Sequence, residues 1–376
     1  MSYKYSFLLF ISFKYFLPST YNKQSIMKAL KIILKGIAFL VIFLIAFLVF
    51  ATITDFKPVA SEVIYESESP DLIDVNTNLS LMIWNIGYCG LSDDMDFFYD
   101  GGKQIRTSGE NVKNNISQNV KFISKNDSLS FVLLQEVDLY SRRSYFTNQF
   151  DTLNNRLSKH KGFFAKNYDV KFVPTPPLNP LGRVKSGIAG YSVYNPSTVT
   201  RYSFPGNFSW PTNLFMLDRC FLVMRFPTTN NKELLVINTH NSAYDDGSLK
   251  IQQMEYLKKF LTDEYNKGNY IIVGGDWNQN PPQMAREDLK ENSPAKRFIL
   301  NSVPDNYIPE RWSWVYDPGT PTNRYLNMPY NEKESIKITI DFFLISPNIE
   351  SIYVKAADLN FKHSDHQPVF CVVKLK

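Results

Sequence analysis

Six apolar runs in this 376-residue chain each meet a short polar cluster, and that pattern constrains the fold more than any other feature. In order the clusters are Trp84-Asn85, Gln135-Glu136, Asn238-Thr239-His240, Gly275-Asp276-Trp277-Asn278, Ile340-Asp341 and Ser364-Asp365-His366. Short runs rich in Ile, Val, Leu and Phe read as buried strands. Clusters scattered from residue 84 to residue 366 form one site only if their strands lie side by side and finish at one edge. Such an edge gathers carboxylates, amides and imidazoles, the groups that metal-assisted phosphoester cleavage uses.

The rest of the pattern agrees with that arrangement. Strand-like runs occur at 79–86, 130–135, 187–194, 219–226, 233–238, 270–274, 338–345 and 369–373, with helical patterns near 111–124, 147–158 and 248–265. In the last, Ile251, Met254, Leu257, Leu261 and Tyr265 recur at three- and four-residue spacing, one face of a helix. Many strands with fewer helices between them predict an α+β fold, two sheets packed face to face with helices outside. Two Pro-rich loops, 172–183 and 280–286, and an irregular region at 302–337 interrupt it. The irregular region carries Arg311, Trp312, Trp314, Tyr316, Arg324 and Tyr325, and reads either as a substrate-side loop or as cover for the core.

Residues 36–54 run without a charge between Lys35 and Asp55. At 1.5 Å per residue they span about 28 Å, the depth of a hydrocarbon core. The run is longer than a usual signal-peptide core and no clear cleavage site follows, so an uncleaved anchor is expected. Lys23, Lys28, Lys31 and Lys35 precede it and only Lys57 follows closely, which predicts a cytoplasmic N-terminus and an exported remainder, periplasmic or extracellular. The earlier stretch 7–17 is short and broken by Lys14, and Met27 is an alternative start to Met1. The expected organisation is a cytoplasmic segment 1–35, a transmembrane helix 36–54, a polar tether 55–78 and one domain 79–376.

Of 41 basic and 36 acidic residues, seven lysines and one aspartate lie within 1–61, so the remainder is within one charge of neutral. A strong electrostatic footprint for nucleic acid is absent at that level. Cys89, Cys220 and Cys371 are widely spaced, have no metal-ligand pattern and read as small buried hydrophobes.

Four of the clusters contribute a carboxylate: Glu136, Asp276, Asp341 and Asp365. At one edge they repel one another unless a cation joins them, and hard oxygen donors with few imidazoles favour Mg²⁺ or Mn²⁺ over zinc. Asp276 and Asn278 are two apart, so a continuing strand points both the same way, one to polarise water and one to hold it or a phosphoryl oxygen. Asp341 is suited to orient His366, which leaves Asp365 for the metal. His240 offers a second imidazole for a developing phosphorane oxygen. Arg142 and Arg143 are candidate phosphate clamps, with a solvated loop as the alternative. Residues 93–103 follow the first cluster as a candidate pocket wall.

Together the motifs LMIWNIG (81–87), LLQEVD (133–138), INTHNSAYD (237–245), IIVGGDWNQNPP (271–282), TIDFFLIS (339–346) and HSDHQPV (363–369) resemble the endonuclease/exonuclease/phosphatase family. They cover nearly all of 79–376 in the family's order. The resemblance implies a four-layer α/β/β/α sandwich and a Mg²⁺-dependent phosphoesterase, Mn²⁺ being an alternative. It implies Glu136 as main metal ligand with Asn85 and Asp365 nearby, and Asp276 or the Asp341–His366 pair as activator of the attacking water. Asn278 would hold nucleophile or phosphate, His240 would stabilise the transition state or assist the leaving group, and Arg219 would contact phosphate. Three departures stand out. The deoxyribonuclease branch pairs its first catalytic His with a Glu on an earlier strand, and residues 183–194 here hold no carboxylate. The PAWCDR-like signature of inositol polyphosphate 5-phosphatases is also missing, and Trp277 replaces a more usual Phe or Leu. The expected substrate is a phosphate ester on nucleic acid, a lipid headgroup or a small molecule, with the membrane engaged through the N-terminal helix and no protein partner. A non-catalytic binding module is the competing class, against which stands the full set of site residues.

Overall fold

The computed structural model describes residues 23–243, 247–282, 284 and 302–376. The apolar stretch 7–17, the end of the INTHNSAYD motif and residues 283, 285 and 286 of the proline loop lie outside the described residues. The chain divides into two compact units, Met1–Ile53 and Thr54–Lys376. In the first, α1 (Lys23–Ile53) contains nearly all of the uncharged run and is apolar on every side, with its large side chains exposed. Its 31 residues extend about 46 Å.

The second unit is built on two sheets. One has seven strands in the order β1 (Ser61–Glu66), β6 (Thr198–Ser203), β7 (Cys220–Pro227), β8 (Glu233–His240), β9 (Tyr270–Asp276), β13 (Asp341–Ile345) and β10 (Ser313–Val315). The other has six, in the order β14 (Ile349–Ala356), β15 (Val369–Leu375), β2 (Asn78–Asn85), β3 (Phe131–Asp138), β5 (Gly182–Ser192) and β4 (Lys161–Val173). A two-stranded pair, β11 (Asn323–Arg324) with β12 (Lys337–Ile338), stands apart.

Each sheet has one parallel pair at its centre, β2 with β3 and β8 with β9. Parallel neighbours need a crossover, and α2 (Gly109–Lys125) and α4 (Ser248–Asn266) provide the two. Parallel pairing is also what brings the clusters together, because strands running the same way end at the same edge. Asn85 lies beside Gln135, His240 beside Asp276, and antiparallel β13 sets Asp341 against Asp276.

Alternation along each strand sorts its side chains into two layers. Leu81 and Ile83 join Leu133, Leu222, Met224, Val236, Ile272 and Phe343 between the sheets, while Met82 and Trp84 face the other way. Val112, Ile116 and Ile123 of α2 and Leu153 of the short α3 (Gln149–Asn154) cover that outer face. On the opposite side Met254, Leu257 and Leu261 of α4 cover Ile237, Ile271 and Val273. The result is the expected α/β/β/α sandwich. All three cysteines are buried in it. At Gly274 the sheets come so close that a Cβ would lie 2.6 Å from Ile83 Cγ2.

Some elements differ from the sequence expectation. Within the polar segment 55–78, Ser61–Glu66 folds back as the edge strand β1 against β6. The helix near 147–158 shortens to six residues, and β4, β6 and β14 were not evident as separate runs. The irregular region 302–337 divides between the core and a cavity. Tyr307, Trp312 and Trp314 pack against Trp277 and Phe342 of the core, whereas Asn323, Arg324 and Tyr325 border the pocket described next.

Candidate active site

The site begins with a distortion in β3. Between Leu134 and Val137 its register against β5 slips, and Glu136 sits in that bulge at φ +54°. A positive φ at a non-glycine residue is strained, and bulges re-aim side chains beside functional sites. The neighbouring Gln135 plays a different part. Its amide donates to Asn238 Oδ1 at 2.7 Å, and Asn238 Nδ2 donates to the carbonyls of Leu134 and Ala189, so the pair pins one sheet to the other beneath the site.

Asp276 stands at the centre. Its Oδ1 accepts from Asn278 N at 2.9 Å, and its Oδ2 accepts from Asn85 Nδ2 at 3.0 Å. The same Oδ2 lies 3.5 Å from His240 Nε2 and 3.8 Å from His366 Nε2. Asn85 Nδ2 also reaches Glu136 Oε1 at 3.4 Å, while its Oδ1 accepts from Gly87 N. Asn85 therefore ties Glu136 to Asp276 through its amide nitrogen. His366 Nδ1 bonds Asp341 Oδ2 at 2.8 Å, and its Nε2 faces Asn323 Nδ2 at 2.9 Å and Asp365 Oδ2 at 4.0 Å. Donor atoms of Asp276, Asp341 and His366 lie within 4.8 Å of one another, a group able to hold a metal ion. Asn278, at φ +50°, directs its Nδ2 to the carbonyl of Asn241.

Electrostatics follow from burial and crowding. Burial pushes Asp276 up to about 6; His366 opposes the shift and Asp341 adds to it. Burial pushes Asp365 up to about 7, again opposed by His366, with Glu136 adding to it. Burial disfavours a charge on His366, yet Asp341, Asp365 and Asp276 outweigh it and lift the ring to about 10. His240 goes the other way: burial, with Arg219 and His366 nearby, holds it well below the usual imidazole range. Its Nδ1 has no partner among the described residues, and its Nε2 lies 3.5 Å from Asp276 Oδ2. Asp341 Oδ1 is likewise buried without a partner among the described residues.

These groups open into a cavity of about 630 Å³. Glu136, His240, Asp276, Asn278, Asp365 and His366 line it, as do Arg143 and Arg219, so these candidate residues meet in one cavity. Asn85 and Asp341 are not in the lining but bond two residues that are, Asp276 and His366. Arg143 is committed to a fork with Asp138, at 2.9 and 3.2 Å, and its guanidinium stacks 3.8 Å above the Tyr88 ring. Arg142 turns away, to the carbonyl of Pro180. Residues 93–103 supply Phe97, Tyr99 and Asp100 to the lining.

Several lining residues escaped the sequence reading. Asn323 touches His366, Lys250 reaches the Asn278 carbonyl at 3.3 Å, and Asn167 is a buried amide in the irregular part of β4. None sits at the end of an apolar run, so the signal that found the others does not exist for them.

A family model, that of the endonuclease/exonuclease/phosphatase family, matches residues 82–366. This chain belongs to the endonuclease/exonuclease/phosphatase family. Members of the family are phosphoesterase hydrolases, which sets the enzyme class of the chain. Among solved structures it is similar to a family protein from Beutenbergia cavernae DSM 12333, at 16% identity and a TM-score of 0.51, over 79% of this chain and 72% of that one. It is similar also to ANGEL2, a 2′,3′-cyclic phosphatase crystallised with adenosine-2′,3′-vanadate, at 17% identity and a TM-score of 0.51, over 83% and 99% of the two chains. Both likenesses are of fold. Among curated proteins none matches this chain.

Proposed function

We propose that the chain is a membrane-anchored, externally facing, divalent-metal-dependent phosphoesterase that uses an activated water in line with the leaving oxygen. The observation that carries this reading is the meeting of Glu136, Asp276, Asp365, His240 and His366 around one pocket, with Asp341 bonded to His366, in a member of this family. Buried carboxylates this crowded, two of them pushed up to about 6 and 7 and one with an unpartnered oxygen, fit a cation. Oxygen donors with a single imidazole suit Mg²⁺ or Mn²⁺. Glu136 and Asp365 are the proposed ligands, with Asn85 holding Glu136 in place and Asp276, Asp341 and His366 near enough to share the charge. A bound divalent cation would neutralise carboxylate charge and polarise a phosphoryl oxygen.

The remaining roles fall to side chains. Asp276 is ionised above about pH 6 and is the proposed acceptor of the water's proton. His366, protonated and fixed by Asp341, donates from Nε2 to a phosphoryl oxygen once Asn323 gives way. Asn278 holds the nucleophile or the phosphate. His240 stays neutral and acts as a hydrogen-bonding group at the transition state. Arg219 is the proposed phosphate contact, and Arg143 braces the wall through Asp138. In this reading α1 crosses the membrane with its lysines on the cytoplasmic side, and residues 79–376 form the exported catalytic domain.

The test is hydrolysis by the full chain in detergent, with Mg²⁺ and with EDTA, against plasmid DNA, RNA, bis-p-nitrophenyl phosphate, inositol phosphates and phospholipid vesicles. Mg²⁺-dependent turnover that disappears in Glu136→Ala is the expected result. Turnover that persists in that variant or in EDTA overturns the reading.

A further inference from the structure

Two loops at the rim of the pocket have the composition of a lipid-contacting surface. The β4–β5 loop carries no charge between Lys171 and Arg183, and the β6–β7 connection carries none between Arg201 and Asp218. One in five residues of the whole chain is charged, so solvated loops of this length would ordinarily hold several. They instead present large apolar groups: Leu178 in the first is fully exposed and Trp210 in the second is 60% exposed, while Phe172, at the end of β4, is 40% exposed. Singly exposed apolar residues are ordinary; two uncharged loops that share one rim are a patch.

Both loops border the site. Leu181 from the first and Phe208 and Leu217 from the second line the pocket. Leu217 packs with Val173 and Leu181, and Tyr168 donates its hydroxyl hydrogen to the carbonyl of Phe215, so the loops are braced together. Tyr99, exposed and also in the lining, stands on the same rim. Further in, the pocket is walled by Leu91, Phe97, Leu249 and Leu326. Trp and Tyr beside Leu at an uncharged edge suit the boundary between headgroups and acyl chains. Chain length supplies the second argument. Only residues 54–60 separate the end of α1 from β1, and seven residues reach at most about 25 Å. Ser61 pairs with Tyr202 at the head of the β6–β7 connection, so that short tether joins the end of α1 to this loop.

We propose that Leu178, Trp210 and Phe172 form a rim that seats on a phospholipid surface and presents headgroup phosphoesters to the pocket. This rests on the phosphoesterase reading for its chemistry but not for its docking.

The experiment is fluorescence of the full chain reconstituted into phosphatidylcholine vesicles with and without brominated acyl chains. All five tryptophans, Trp84, Trp210, Trp277, Trp312 and Trp314, follow α1, so the helix itself is silent. Bromine should quench the wild type, Trp210→Phe should remove the quenched component, and Leu178→Asp should reduce it by at least half. Equal quenching of wild type and Trp210→Phe overturns the docking. In parallel, phosphorylated headgroup release from vesicles of phosphatidylcholine, phosphatidylglycerol and phosphatidylinositol should fall about tenfold in Leu178→Asp, the scale expected on losing burial of one such side chain. Turnover of soluble bis-p-nitrophenyl phosphate should be unchanged. Cleavage of the soluble diester or of nucleic acid without any headgroup release overturns the lipid assignment. Quenching with no turnover of anything leaves the docking standing and defeats the proposed function.

Discussion

Asp276 carries the sharpest conflict between stability and chemistry in the molecule. A carboxylate buried beside Asp341 and pushed up to about 6 destabilises the fold wherever it is ionised. Asp276→Asn should lower kcat by about 10²–10⁴. Its melting temperature at pH 8 in EDTA should match or exceed that of the wild type; a drop of many degrees would mark the residue as structural. Asp341 is testable through pH. The ring of His366 is lifted to about 10, burial opposing and Asp341 leading the lift, so its protonation stabilises the folded state fully below pH 6.5 and this is lost as pH rises through 10. Asp276 and Asp365, raised to about 6 and 7, lose their contribution between pH 4 and 7. The windows thus overlap only near pH 7. Urea midpoints in EDTA should fall between pH 7 and 10 in the wild type, and distinctly less in Asp341→Asn. Parallel declines in the two proteins would show that Asp341 does not set the charge of His366.

At the scale of elements, α4 is fastened to the sheet by charge as well as by its apolar face. Arg225 of β7 forks onto Glu264 near the end of α4, at 2.8 and 3.0 Å, and also reaches Glu233. Burial opposes ionisation of Glu264, but hydrogen bonds from Arg225 and Lys267 overcome it and bring the carboxyl down to about 2. That stabilisation is present above pH 4.5 and is lost as pH falls through 2. Glu264→Gln should cost about 2 kcal/mol at pH 7 and far less at pH 2, read as the difference in denaturant midpoints. The elements legible in the sequence were those with both faces buried, since β2, β3, β8 and β9 are continuous apolar runs ending in polar groups. Exposure hid the others. β14 is exposed along most of its length, and β1 is a short edge strand whose Val-Ile-Tyr centre is flanked by Ser and Glu. The site was legible for the same reason, because its strand-end residues advertise themselves. Asn323 and Asn167 reach the pocket from a two-residue strand and from a register shift in β4, where no local period predicts direction. The Gln135–Asn238 link shows the converse, two amides in the clusters that serve the sandwich rather than the chemistry.

For the molecule as a whole, a cation is expected to act as a fold stabiliser. Saturating Mg²⁺ at about 100 times its dissociation constant should add about 2.7 kcal/mol to stability. The rise in melting temperature should vanish in Glu136→Ala and Asp365→Ala, and a rise that survives both would move the ion elsewhere. Asn85, Glu136, Asp365 and His366 come from the six-stranded sheet and its loops, whereas His240, Asp276 and Asp341 come from the seven-stranded one. Contacts across that division, such as Asn85 to Asp276 at 3.0 Å and His366 to Asp341 at 2.8 Å, are therefore contacts between two slabs. A hydrogen bond tolerates only a few tenths of an ångström before it weakens, while a hydrophobic interface tolerates more. Turnover is then a vernier on the sliding of one slab over the other. In a denaturant titration, activity should disappear at lower concentration than far-ultraviolet circular dichroism, as a small shear disengages the chemistry while both sheets remain whole.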